Sequence, residues 1–375
     1  MIKLNCWNEY DSLKTVILGK VYSNDKIPKL FDDENQEYYI KIINETNKEL
    51  ANFETILKQN NVQVLRPTEP ENINGQINNQ TDPLINMRDF HMVYGDKFFI
   101  TYGPYKERRF NGLWLEDLTN QIINDNNLVI SANELNLQNN ILENYENEVE
   151  NLENYFYIKY RKRLKIKNKK TFFDLVQSLS DKTSEDWFFL HNFLNSNKNT
   201  FHTASILKMN NLCFMSKFSG SETGKTWMKN WLKTLNVTPI ELPQIGHIDG
   251  SCTIVNKDTV ITKSYLKFFD PYFKNHYYVD MDEEKYNYYS LIAGNELFTP
   301  KPYYEKWQPL FSSLINSTNG LTVKPNVVLL SYYNKDFYQK LKNNGIEAIY
   351  VKWSHSKFWE GNIHCITLDI ERRPE

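Results

Sequence analysis

Apolar and polar positions alternate at the start of the chain, and residues 13–19 (LKTVILG) read as a strand that stops at Gly19. Between residues 36 and 60 the spacing changes: Tyr39, Ile42, Ile43, Leu50, Phe53, Ile56 and Leu57 recur with helical period, which predicts an amphipathic helix. Residues 62–65 predict the next strand, 72–82 a polar loop, and 90–101 a hairpin turning at Gly95-Asp96. The same rhythm returns later. Strands are expected at 212–215, 327–330 and 348–351, a hairpin over 251–262, and helices at 226–235 and 335–342. Strand–strand–helix–strand succession of this kind indicates an α/β protein.

Residues 124–170 break the rhythm, with five glutamates in 143–153 and eight basic residues in 159–170. A basic run can face nucleic acid or another anionic surface, but next to an acidic run it reads better as a solvated segment paired with it. The whole-chain balance agrees: 44 Lys+Arg against 46 Asp+Glu gives a net charge of −2, without the basic excess of a nucleic-acid binder. At 41% hydrophobic residues the chain can build a core without disulfide staples. No apolar run approaches the ~20 residues of a membrane helix. The opening MIKLNCWNEYD shows no secretory pattern. Four cysteines without a CxxC pair complete the expectation of a cytoplasmic protein in a reducing compartment, with neither a disulfide framework nor a cysteine-rich metal site. Asn is abundant at 47 residues, which reads as coding bias rather than a functional tract.

The segment 220–226 (GSETGKT) lies between a predicted strand and helix, like a phosphate-binding loop, but only three residues separate its glycines where four are needed. No HExxH occurs, and neither a metal nor a cofactor is expected. Three distant pieces carry more chemistry: Arg88-Asp89, His247-Ile248-Asp249, and His364-Cys365 near the C-terminus. Together they supply a thiol, a histidine and two carboxylates. Carboxylates match the planar guanidinium bidentately. A thiolate held near its central carbon could attack, with histidine protonating the departing amine. The transfer would then pass through a covalent intermediate with ping-pong kinetics.

At these residues the chain resembles the amidinotransferase branch of the guanidine-modifying superfamily, that of glycine amidinotransferase and inosamine-phosphate amidinotransferase. Residues 8–19 (NEYDSLKTVILG) are similar to the opening strand N-E-W-D-x-L-x-x-V-I-V-G of that family. Arg88-Asp89 resembles its guanidinium-binding pair, 247–249 its H-I-D, 317–319 (STN) its S-x-N, and 363–373 its F-H-C-x-T-x-D-x-R-R. The likeness runs from residue 8 to residue 373 in the family's order and is weakest over 117–200. It implies one pentein-like α/β-propeller domain over 1–375, built of about five ββαβ modules with pseudo-fivefold symmetry around a central channel. The charge-rich segment around 124–170 would be a divergent part of it. It further implies Cys365 as nucleophile, His247 as acid/base, Asp89 and Asp249 as the guanidinium grip beside Arg88, and Ser317 in the substrate pocket.

Two positions depart from the family. His202 stands where an Asp orienting the catalytic histidine is expected, leaving Glu241 as a candidate replacement, and Leu266 stands where an Arg binds the donor's carboxylate. Lys263, Lys267 and Arg108 are alternative anion contacts, although a surface ion pair is the ordinary role for Arg108. The implied activity is transfer of an amidino group from an arginine-like donor to an amine acceptor. The alternatives are a guanidine hydrolase on the same scaffold and a catalytically divergent guanidinium-binding protein. The expected partners are small molecules, with no nucleic acid or membrane, and a homodimer is the commonest precedent for assembly. The adjacent His364 and the expected His247 motivate a lowered pKa for the Cys365 thiol, while Cys6, Cys213 and Cys252 are expected to be buried and inert.

Overall fold

The computed structural model describes residues 2–70, 83–101, 114–124, 128–131, 201–217, 220, 222–243, 247–264, 266–279, 283–314 and 318–375. The polar loop expected at 72–82 lies outside these residues, as does the charge-rich segment apart from Asn124 and 128–131.

The described strands form five three-stranded sheets. In the first, β1 (Ser12–Leu18) runs parallel to β2 (Gln63–Leu65). Three further sheets follow in chain order: β3 (His91–Tyr94), β4 (Lys97–Ile100) and β5 (Leu128–Ser131); β6 (Ile206–Met209), β7 (Leu212–Ser216) and β8 (Thr238–Leu242); and β9 (Cys252–Asn256), β10 (Thr259–Lys263) and β11 (Asn275–Val279). The last comprises β12 (Leu321–Lys324), β13 (Val327–Leu330) and β14 (Glu347–Tyr350). The C-terminal β15 (Thr367–Arg373) returns to pair antiparallel with β1, so the first sheet joins both ends of the chain. Every sheet repeats one pattern: an outer strand antiparallel to the middle one, and a third strand parallel to it. A parallel pair needs a crossover. Helices α1 (Asp33–Gln59), α2 (Glu116–Asn124) and α3 (Glu222–Thr234) lie in the crossovers from β1, β4 and β7. The β10–β11 crossover contains the short 3₁₀ turn Lys267–Phe269, α4 (Glu283–Ala293) follows β11, and α5 (Lys335–Asn343) joins β13 to β14.

Local sequence explains these boundaries. The Asp32 side chain accepts from the Asn35 backbone N–H at 2.9 Å and caps α1, with Asp33 and Glu34 in the first turn where the helix dipole favours them. This starts the helix three residues before the apolar pattern revealed it. The expected apolar face is buried through Tyr39, Ile42, Ile43, Leu50, Phe53 and Leu57. At the β3–β4 turn Gly95 has φ +60°, and the Trp7 ring stands 2.7 Å from where a Cβ would be. Among the described residues, Asn61, Asn210, Asn236 and Asn326 also have positive φ. Asn tolerates that conformation better than most residues, so part of the Asn richness has a structural use. No described helix is long and apolar enough to cross a membrane.

Candidate active site

The candidate side chains share one position in the repeat: the short segment just before the outer strand of a sheet. Asp89 ends the turn Met87–Asp89 before β3, and His202 caps Thr203–Ser205 before β6. His247 and Asp249 flank the entry to β9, Asn319 precedes β12, and His364 and Cys365 precede β15. Hydrogen bonds tie these segments to one another. The Arg88 N–H donates to the Cys365 carbonyl at 3.3 Å, and the Thr203 hydroxyl donates to the carbonyls of Arg88 and His91. The Asn319 amide donates to the Asp249 carbonyl at 3.0 Å and accepts from the Cys365 N–H at 3.1 Å. The structure thus brings together motifs that lie 89, 249 and 365 residues into the chain.

Cys365 is buried, with its Sγ 3.4 Å from Asp249 Oδ2 and 3.2 Å from the donating Nδ2 of Asn319. Asp249 is fully buried, and its second oxygen, Oδ1, has no hydrogen-bond partner among the described residues. Burial works to raise the Asp249 carboxyl, but the hydrogen bond and charge of His364, then His247 and Arg88, outweigh it and hold it below the usual range. Asp89 is also buried, with Oδ1 3.7 Å from His247 Nδ1. His247 is about one-third exposed, which leaves it open to an incoming molecule.

Several expectations change. Burial pushes the Cys365 thiol well up, and the charges of Asp249 and Asp89 push it further. This is the reverse of the expected lowering, because His364 directs its ring nitrogens to Asp249 and Glu9 instead of to the sulfur. His202 is buried with its ring 5.7 Å from that of His247 and 5.8 Å from that of Phe90. The carboxylate facing His247 is Asp89, from a different turn. Glu241 does not supply it: that side chain pairs with Lys229. The Arg88 guanidinium, expected at the substrate, is buried and engaged by the protein: Nη2 lies 2.6 Å from Asp369, Nη1 3.6 Å from Glu9, and Nε donates to the His364 carbonyl. Leu266 packs in an apolar cluster with Phe269 and Phe273, and the Lys267 ammonium lies 4.4 Å over the Tyr278 ring. Lys225 of the glycine-rich segment donates to the Lys217 carbonyl at 3.0 Å. Ser317 and Arg108 lie outside the described residues. Cys6, Cys213 and Cys252 are buried free thiols, all pushed up chiefly by burial.

Sequence reasoning did not assign roles to Glu9, Lys208, Asn319, Asp369 or Arg372, although all but Lys208 stand inside the quoted motifs, and it placed His364 beside the Cys365 thiol rather than between two carboxylates. Lys208 is buried 3.4 Å from Glu9 and 3.1 Å from the Cys6 sulfur. Burial, opposed by the charges of Arg372 and Arg88, leaves Asp369 lowered to about 2.

Comparison with known proteins gives this arrangement a context. No family model matches the chain, and no curated protein does. Solved structures do. The fold is similar to SxtG, an amidinotransferase from Microseira wollei in the saxitoxin biosynthetic pathway, at 17% identity and TM-score 0.62, covering 99% of this chain and 98% of that one. It is similar to inosamine-phosphate amidinotransferase StrB1 from Streptomyces griseus at 16% identity and TM-score 0.64, covering 100% and 98%. DDAH from Pseudomonas aeruginosa, solved with citrulline, matches at 10% identity and TM-score 0.51, covering 95% and 99%. The chain therefore has the α/β fold shared by amidinotransferases and DDAH, and this likeness of fold extends over nearly the whole chain.

Proposed function

We propose that this protein is an amidinotransferase that moves the amidino group of an arginine-like donor to an amine acceptor through a covalent Cys365 intermediate. The observation that carries the reading is the unpartnered Asp249 Oδ1, a buried carboxylate oxygen whose sister oxygen lies 3.4 Å from the Cys365 sulfur. A guanidinium N–H is the donor that such an oxygen lacks. In this reading the sheets are the modules of a five-bladed α/β-propeller, one domain over 1–375, with the outer-strand entries around its central channel.

The raised thiol fits the chemistry. With Asp89 and Asp249 both negative, a thiolate would be a third adjacent anion. A bound guanidinium offsets those charges, so the thiol passes its proton to His247 when the electrophile is in place. The thiolate attacks the guanidino carbon, a C–S bond forms, and the C–N bond to the donor's side chain breaks. His247 protonates the departing amine, leaving an amidino group on sulfur with its positive charge gripped by the carboxylates. An acceptor amine then gives a proton to His247, attacks the same carbon and displaces the thiolate. Asp89, facing His247, stabilises the imidazolium in place of the missing aspartate at position 202. The donor's remote end is not held at Leu266, which is apolar and packed.

Incubating the protein with arginine and a panel of small amines, followed by mass analysis of products, tests the reading. Ornithine together with a guanidinylated amine is expected. Citrulline would mean that water takes the acceptor's place and the protein is a hydrolase. A guanidino ligand that binds without any turnover would make it a binding protein.

A further inference from the structure

His364 belongs to no step of that reaction, yet it is buried between two carboxylates. Its Nδ1 lies 3.1 Å from Asp249 Oδ2 and its Nε2 3.3 Å from Glu9 Oε2. A carboxylate oxygen can only accept, and a neutral imidazole carries a single N–H. Satisfying both contacts therefore takes a ring with a proton on each nitrogen. Glu9 is held ionised chiefly by other groups, and Asp249 by the hydrogen bond and charge of His364 itself, then by His247 and Arg88. Lys208 and Arg88 stand 3.4 and 3.6 Å from Glu9, and burial of Glu9 is outweighed by those two charges. The groups facing His364 come from several elements: Asp249 before β9, Glu9 before β1, Lys208 on β6, Arg88 donating to the His364 carbonyl, and the adjacent Cys365. Asp369 lies behind Arg88, held also by Arg372. Around this site the buried carboxylates Glu9, Asp89, Asp249 and Asp369 outnumber the buried cations Arg88, Lys208 and Arg372, so one further proton brings the cluster to neutrality.

We propose that His364 is a positioning residue: doubly protonated and strung between Glu9 and Asp249, it occupies Asp249 Oδ2 and so presents Oδ1 to the guanidinium. This rests on the assignment of Asp249 as the guanidinium grip. A ring with one bare nitrogen would set a lone pair against a carboxylate oxygen and release one end of the strut. The anchor at the far end is Glu9, locked by Lys208 and Arg88, so the orientation of Asp249 is fixed from outside the reaction space.

The protonation state is read without any substrate by ¹⁵N-histidine NMR at pH 7. The His364 signals are assigned by their loss in His364→Asn or, should that variant not fold, by through-bond correlation to the Cys365 amide. Both His364 nitrogens are expected at protonated positions; one bare nitrogen overturns the proposal. The positioning role is read by calorimetric binding of methylguanidine to Cys365→Ala protein across pH. With His364 present, affinity is expected to fall on the alkaline side by roughly ten- to a hundredfold, the worth of a hydrogen bond to a charged group. In the His364→Asn background, whose amide does not titrate, that alkaline loss disappears. An unchanged pH profile in His364→Asn overturns the inference while leaving the functional reading intact. If Asp249→Asn binds methylguanidine as well as its parent does, the functional reading itself fails, and with it the role given to His364.

Discussion

Asn319→Ala is the substitution whose cost the structure specifies most fully. The Asn319 amide joins the segment before β12 to those before β9 and β15. Its Oδ1 accepts from the backbone N–H groups of His364 at 2.9 Å and Cys365 at 3.1 Å, and its Nδ2 donates to the Asp249 carbonyl at 3.0 Å. Alanine removes these three bonds and the one from Nδ2 to the Cys365 sulfur at 3.2 Å. The His364 N–H keeps a longer contact to the Asn319 carbonyl at 3.3 Å. The Cys365 N–H and the Asp249 carbonyl lose these partners within the protein interior. At about 1–3 kcal/mol for each of these two buried groups left unsatisfied, the loss is about 2–6 kcal/mol. A control comes from Asn334, an exposed cap of α5 whose side chain accepts from the Phe337 N–H at 2.9 Å. The same substitution there should cost only about 1 kcal/mol. Equilibrium urea unfolding of both variants measures the difference, provided the slope of the transition is unchanged. If Asn319→Ala costs no more than Asn334→Ala, the amide is not the joint that this reasoning makes it.

Other consequences follow from the buried charges. Asp249→Asn removes one of the negative charges that push the Cys365 thiol up, so iodoacetamide should label Cys365 faster at pH 8 than in the parent protein; equal or slower labelling would count against this. Lys208→Met takes a cation from buried Glu9 and a donor from the Val93 carbonyl, and should cost about 3–5 kcal/mol in the same urea assay, whereas a loss under 1 kcal/mol would show the pair to be dispensable. Burial, opposed by the hydrogen bond to the Met87 carbonyl, lowers His91 to about 4. Because the unfolded histidine takes up its proton near pH 6.5, this stability is complete above that value and is lost as pH falls toward 4, about 3 kcal/mol in all. The stability advantage of the parent over His91→Gln should therefore shrink across that window, and a constant difference would refute it.

How much of this was legible in the sequence depended on whether apolar period or buried charge shaped the segment. The helix α1 and strands β1, β4 and β13 show their faces directly as apolar spacing. The strand β15 does not: its sequence TLDIERR reads as polar, yet all but its last residue are buried. Its charges are hidden because Asp369 and Arg372 satisfy one another and Arg88, a partnership that no local pattern reveals. The site followed the same division. Asp89, Asp249 and Cys365 could be singled out because their residue types suit one chemistry and stand in recognisable short motifs. The parts played by Glu9, Lys208, Asn319 and His364 exist only once five sheet entries are brought side by side. His202 shows a related limit of local reading: a missing acid at one position says nothing of which carboxylate faces the same histidine from another turn, here Asp89.

The claim on which the rest depends is that Cys365 carries the amidino group. Arginine labelled with ¹³C at the guanidino carbon, mixed with the protein without an acceptor and quenched in acid, tests it by peptide mass spectrometry. The label is expected on the peptide containing Cys365, and is expected to leave it when an acceptor amine is added before the quench. Label on another cysteine, or turnover of arginine in a Cys365→Ala protein, would contradict the account.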